Sequence, residues 1–256
     1  MKKSAASLFY SGISGLQLPV PKYLFPPPFE NASRLRYYAS LFNSIEINSS
    51  FYKIPQPATV AKWAADVPDS FTFTFKLFKE ITHVKGLNFK EDDIVSFMKA
   101  IHPANDKKGC LLIQFPPSVN KKYADQVAHL LTCIRENDAE QSWNIAVEFR
   151  NKSWYTDATY ELLNTFKAAL VIHDMPESAT PSIEHASGFV YIRFHGPTGS
   201  YRDSYDHDFL HEYATYIIEW LNAGKEVYLY FNNTMGSAIN NLNTLIDFVK
   251  QKSTAE

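Results

Sequence analysis

The chain has 256 residues, near the upper end of what one hydrophobic core organises, and 45% are hydrophobic with 15% aromatic, which excludes a disordered chain. Formal charge is -2 at pH 7 with no long run of one sign, so a phosphate-tracking surface for double-stranded nucleic acid is not expected. No stretch approaches the roughly 20 apolar residues that span a bilayer, so no membrane partner is expected either.

The opening MKKSAASLFYSGISG has two lysines and a short apolar run. Serines and glycines break that run, so it reads as a first strand rather than a signal peptide, and a cytoplasmic protein is the expectation. Cys110 and Cys133 fall in a predicted strand and the helix after it; two such cysteines form no disulfide framework and read as reduced packing residues.

From there, short β-rich runs alternate with segments of helical period, the pattern of a parallel sheet with crossover helices. Strands are predicted at 8–14, 44–49, 71–76, 110–115, 144–149, 169–174, 189–195 and 226–232. Helices are predicted at 33–43, 58–66, 91–102, 121–136, 157–167, 208–223 and 237–251, with Ser33, Thr59 and Asp157 as caps and Gly224 as a stop. Residues 175–188 are short, polar and proline-containing, so the sixth helix is reduced or absent. The region 16–29 holds five of the 14 prolines and reads as a rigid loop; 196–207 reads as a mobile one. Eight strands with nearly all their helices predict an α/β fold, a (β/α)8 TIM barrel forming a single domain over 1–256. An open doubly wound sheet competes, but no G-x-G-x-x-G follows the first strand.

Side chains alternate across a strand, so "VYIRFHG" (190–196) puts Tyr191, Arg193 and His195 on one face and Val190, Ile192 and Phe194 on the other. The same split recurs: polar Glu46 and Asn48, Thr72, Thr74 and Lys76, Gln114, Glu148 and Arg150, and Asn232, opposite apolar Ile45/Ile47, Phe71/Phe73/Phe75, Val147/Phe149 and Leu229/Phe231. The polar parity points into the barrel mouth at the carboxyl ends of the strands, where such folds build their sites. Burying an unpaired ion costs several kcal/mol, about enough to force these groups to pair or to hold a ligand.

"SIEINSSFYKIPQPATVAKW", "PDSFTFTFKLFKEITH", "LLIQFPPS", "AVEFRNKSWY", "YIRFHGPTGSY" and "YLYFNNTMGSAINN" together resemble the YecE-like family, domain of unknown function 72. The resemblance covers about residues 10 to 248 and implies a TIM barrel with no established reaction. In that family an aromatic follows the first Ser-Gly pair; here Leu16 follows Ser14-Gly15, and a proline-rich stretch replaces a tryptophan-rich one.

The residues suggest an enzyme acting by acid/base chemistry, as isomerase, lyase or hydrolase, on a small anionic polyhydroxylated molecule such as a sugar phosphate or sugar acid. Glu46, Glu148, His195 and Lys76 are the candidate catalytic groups, with Glu46 or Glu148 as base and His195 as acid. Arg150 and Arg193, with Lys76, would hold the anion; Asn48, Gln114 and Asn232 would read hydroxyls; Tyr52, Trp154 and Tyr201 would stack on the ligand. Phe51, His83 and Tyr205 lie close to the same strand ends. No cofactor is expected. Glu46, Glu148, Asp174 and His195 form a hard set for magnesium or manganese, but Lys76 and the two arginines already neutralise the carboxylates. The alternative is a noncatalytic module binding a metabolite or single-stranded nucleic acid at the same mouth. Nothing in the sequence indicates an oligomeric state.

Overall fold

The chain was analysed as a computed structural model that describes residues 8–181 and 187–255. Among these residues the strands are β1 (Phe9–Ile13), β2 (Ser44–Ile47), β3 (Thr72–Lys76), β4 (Lys108–Phe115), β5 (Asn144–Phe149), β6 (Ala168–Leu170), β7 (Ile172–His173), β8 (Phe189–Phe194) and β9 (Glu226–Phe231). The helices are α1 (Arg34–Leu41), α2 (Ser49–Tyr52), α3 (Pro57–Ala65), α4 (Lys79–Thr82), α5 (Glu91–Ile101), α6 (Ala124–Glu136), α7 (Asp157–Thr165), α8 (His207–Asn222) and α9 (Ala238–Ala255).

The strands pair in parallel as two sheets, β1-β9-β8-β7 and β2-β3-β4-β5-β6. The α/β class with parallel sheets therefore stands, but the expectation of one ladder closed over eight strands is corrected at two seams. At the first, the predicted strand 169–174 breaks at Val171, whose N–H donates to Val147 O at 2.9 Å. β6 then pairs with β5, and β7 pairs with β8.

At the second seam, β1 and β2 share a single bridge, Ser14 with Glu46. Below it side chains take the place of the ladder. Ile13 N–H donates to Tyr38 Oη at 2.7 Å, and that hydroxyl donates to Ser44 O at 3.0 Å. Ser11 N–H donates to Asn43 Oδ1 at 2.9 Å, and Asn43 Nδ2 donates to Phe9 O at 2.7 Å. Buried backbone groups need partners, and here a tyrosine and an asparagine supply them. The close approach requires Gly12, because a Cβ there would lie 2.0 Å from Ser44 O.

Helix starts follow local chemistry. Ser33 Oγ accepts from Arg36 N–H at 2.9 Å, as a cap should. The expected caps Thr59 and Asp157 instead lie inside α3 and at the first position of α7, since Pro57 and Thr156 set those starts. Gly224, at φ +76°, follows α8 in the left-handed region that glycine adopts without strain. The sixth crossover falls partly on 182–186, outside the described residues; 175–181 and 187–188 contain no helix.

The strand alternation divides the interior. Outward-facing Ile45, Phe73, Phe75, Ile113, Val147, Phe149, Ile192 and Phe231 pack against helix residues such as Phe97, Leu130 and Leu242. A second cluster, including Tyr10, Cys110, Leu112, Ala146, Val171, Tyr191, Tyr228 and Tyr230, fills the space the two sheets enclose. Each large apolar side chain buried this way contributes about 1.5–3 kcal/mol.

Candidate active site

Above this inner cluster the filling becomes polar. Tyr230 Oη lies 2.6 Å from Ser44 Oγ and 2.8 Å from Thr74 Oγ1, a buried hydroxyl layer linking β9, β2 and β3. One step further along the strands come the charges. Glu46 and Glu148 are fully buried and Arg193 is 1% exposed.

Arg193 organises the layer. Its Nε and Nη2 donate to the two oxygens of Glu46 at 2.9 and 2.8 Å, and its Nη1 donates to Glu148 Oε2 at 2.7 Å. Nη1 also lies 3.2 Å from His195 Nε2, so four of the five guanidinium N–H groups are engaged. Ser14 Oγ and Tyr191 Oη donate to Glu46 at 2.7 and 2.6 Å. Burial raises the Glu46 carboxyl, but the Arg193 charge and these hydrogen bonds outweigh it and hold the group below the ordinary carboxylate range. For Glu148, burial is likewise outweighed by Arg150 and Arg193, which hold it well below that range. Arg150 Nε donates to Glu148 Oε1, and its Nη2 lies 2.9 Å from His195 Nε2.

His195 is oriented from both sides. Its Nδ1 lies 3.0 Å from Asp174 Oδ1, which also accepts its backbone N–H at 2.8 Å. With Asp174 accepting and two guanidiniums donating, the consistent tautomer is neutral, with hydrogen on Nδ1 and Nε2 accepting. Burial pushes the imidazole down to about 4; Asp174 opposes this, and the Arg193 charge reinforces it. Tyr205 Oη donates to the other Asp174 oxygen. Both carboxylates are thereby held ionised by arginine, and the imidazole is held neutral.

Lys76, at the end of β3, differs from all of these. It is half-buried and has no hydrogen-bond or ion-pair partner among the described residues; its Nζ lies over the Phe51 ring, 4.2 Å from the centroid. Burial and then the Arg193 charge push its ammonium down to about 8, against the pull of Glu148 and Glu46. His83 touches the same Phe51 ring edge-on, at 4.9 Å.

The other predicted residues divide. By register Gln114 is level with Glu148, and its Nε2 donates to Phe115 O at 2.9 Å. Asn232 follows Phe231, which pairs with Phe194, and so is level with His195. The Tyr201 ring lies edge-on to His195 at 5.7 Å, and Tyr52 is 69% exposed at the rim. Asn48 and Trp154 sit elsewhere. β2 ends at Ile47 and Asn48 turns into α2, so the alternation lapses. Asn48 instead lines a cavity of about 260 Å3 with Leu35, Ile45, Ile47 and Trp63, behind the sheet. Trp154, expected at the rim, is fully buried, stacks on Phe149 at 4.2 Å and donates to Val119 O at 2.8 Å. Arg193, expected to hold ligand, spends its donors on glutamates.

The set suggested for magnesium or manganese does not converge: Glu46 and Glu148 face Arg193, while Asp174 faces His195 and Tyr205. Among the described residues, three metal-ligating side chains approach one another only at Glu91, His129 and Cys133, on α5 and α6. Sequence reasoning gave no role to Ser14 or Tyr191 and left Asp174 open. Asp174 has the parity of Ile172, away from the mouth, but it lies past the end of β7, where alternation no longer fixes direction.

Comparisons with known proteins place these features in context. A family model described as "Protein of unknown function DUF72" matches residues 10–256. The UPF0759 protein YunF of Bacillus subtilis (strain 168) is 29% identical over 245 residues, covering 83% of this chain and 85% of its own. A DUF72 family protein from Enterococcus faecalis V583 superposes with a TM-score of 0.78 at 20% identity, over 94% of this chain and 95% of that one. Another, from Thermotoga maritima MSB8, gives 0.65 at 24% identity, over 96% and 99%. At these identities the structures speak for the fold alone.

Proposed function

The chain belongs to the DUF72 family, whose description states no activity, and on that premise we propose that it is an enzyme performing acid/base chemistry on a small anionic, hydroxyl-bearing molecule. We read the two sheets as halves of a TIM barrel whose strand ends share one mouth. The observation that carries the reading is Lys76, a half-buried amine with no hydrogen-bond or ion-pair partner among the described residues, beside a network in which the other ionic groups are engaged. An amine titrating at about 8 takes up and releases protons close to neutrality.

Each neighbour then has a role. Glu46, Glu148 and Arg193 form the fixed floor; Arg150, with N–H groups left over after Glu148 and His195, joins Lys76 in holding the anionic group. Gln114, Asn232, Tyr201 and Tyr52 are placed to meet hydroxyls or a sugar face. A cytoplasmic setting accords with two free, buried cysteines.

The test is a thermal-shift screen of sugar phosphates and sugar acids against the wild type, Lys76→Gln and Arg150→Gln. A ligand binding only the native state raises Tm in proportion to ln(1 + [L]/Kd). The expected result is a shift in the wild type that both variants weaken, with turnover of the hit falling about 10²- to 10⁴-fold in Lys76→Gln. No shift across the library overturns the reading. Salt-sensitive binding of single-stranded oligonucleotides in its place supports a noncatalytic module.

A further inference from the structure

We propose that Lys76 is an imine-forming nucleophile, whose ε-amine condenses with a small ketone or aldehyde that carries a carboxylate or phosphate. This deepens the functional reading above and rests on its anionic site.

The geometry argues for it in three ways. First, Lys76 ends β3 at the mouth and is half-buried, so its side chain is partly open to solvent. Second, the amine is uncommitted. Arg193 and Arg150 donate to carboxylates and His195 Nε2, whereas among the described residues the Lys76 amine meets the face of Phe51 and no hydrogen-bond acceptor. Third, burial and a nearby cation are the two devices that activate a lysine toward carbonyl carbon, and both operate here. At pH 7 an amine titrating at about 8 is uncharged in about one molecule in ten, about 300-fold more than at the ordinary value of 10.5.

The step balances without a co-reactant. The amine lone pair forms the N–C bond while the carbonyl π pair moves to oxygen, giving a carbinolamine. That oxygen leaves as water with two protons from the original ammonium, so one ammonium and one carbonyl yield one protonated imine and one water. Arg150 is placed to hold the substrate's anionic group.

The experiment incubates the full chain at pH 7 with pyruvate or with dihydroxyacetone phosphate, adds sodium cyanoborohydride to reduce imines, and maps the adduct by peptide mass. The expected result is a single adduct at Lys76, formed faster than at ordinary surface lysines and absent in Lys76→Gln. Whichever probe reacts faster identifies carboxylate or phosphate as the preferred anion. If a probe raises Tm yet nothing is trapped at Lys76, the imine is overturned and the anionic site stands. If neither probe binds, glycolaldehyde, an uncharged aldehyde, decides: first labelling at Lys76 sustains the nucleophile without the anionic site, and labelling scattered over surface lysines ends the proposal.

Discussion

Arg193 on β8 grips Glu46 on β2 with two hydrogen bonds, of 2.9 and 2.8 Å, an ion pair that ties the two sheets beside the single backbone bridge of Ser14 with Glu46. The same guanidinium reaches Glu148 on β5 at 2.7 Å. Removing one partner from such a group leaves buried charge without compensation.

Arg193→Met is therefore expected to destabilise the fold by about 3–5 kcal/mol, the usual cost of breaking a buried pair. Replacing Arg193, Glu46, Glu148 and Arg150 together with apolar residues of similar volume should cost far less. Urea unfolding of the two variants checks this; a single variant as stable as the wild type would show that the pairs do not hold the seam.

Acid should act first through the imidazoles of His83 and His173, both lowered chiefly by burial, and of His195. For His195 the ordinary value is 6.5 and the folded value about 4, so between those limits the unfolded chain binds the extra proton. Stability is then full above about pH 6.5 and falls as pH drops toward 4, by about 2–3 kcal/mol. Below about 4.5 the lowered carboxyls of Glu46 and Glu148 add their own loss as they are forced to protonate. Stability measured against pH should lose His195's share of this slope in His195→Gln, leaving that of His83 and His173.

Lys76 adds a second limb of the same sign at alkaline pH. Titrating at about 8 rather than 10.5, it binds fewer protons than the unfolded chain between those values, so stability rises with pH across that window. At pH 7 the whole penalty is present, about 3 kcal/mol. Lys76→Met should thus be more stable than the wild type at pH 7, and the gap should close by about pH 10.5. Paired denaturation curves at the two pH values measure it.

Two aromatic residues that look alike in sequence should part company. Trp154→Ala is expected to cost about 3–5 kcal/mol through the cavity it leaves against Phe149. Tyr52→Ala should stay within about 0.5 kcal/mol, because the ring is exposed. Ligand affinity should respond in reverse, with Tyr52 the sensitive position.

The amino-acid sequence by itself determined the periodic features. Period-2 runs located the strands, and helical periods located the crossovers, because one-sided burial writes a repeat into the chain. The polar parity of Glu46, Lys76, Glu148 and Arg193 was legible for the same reason, and so was the family. Where a strand ends the repeat stops informing: Asn48 and Trp154 lie beyond β2 and β5 and turn behind the sheet, while Asp174 turns inward to His195.

Tertiary structure alone decided the roles. Charge state depends on which groups a side chain meets and how much water it keeps, and these partners come from strands far apart in the chain. Arg193 became a clamp, His195 a neutral acceptor and Lys76 the uncommitted amine through contacts between β2, β3, β5 and β8. The seam between β1 and β2 was equally hidden, since a tyrosine hydroxyl and an asparagine amide replace ladder bonds there only when folding brings α1 and the turn after it against β1.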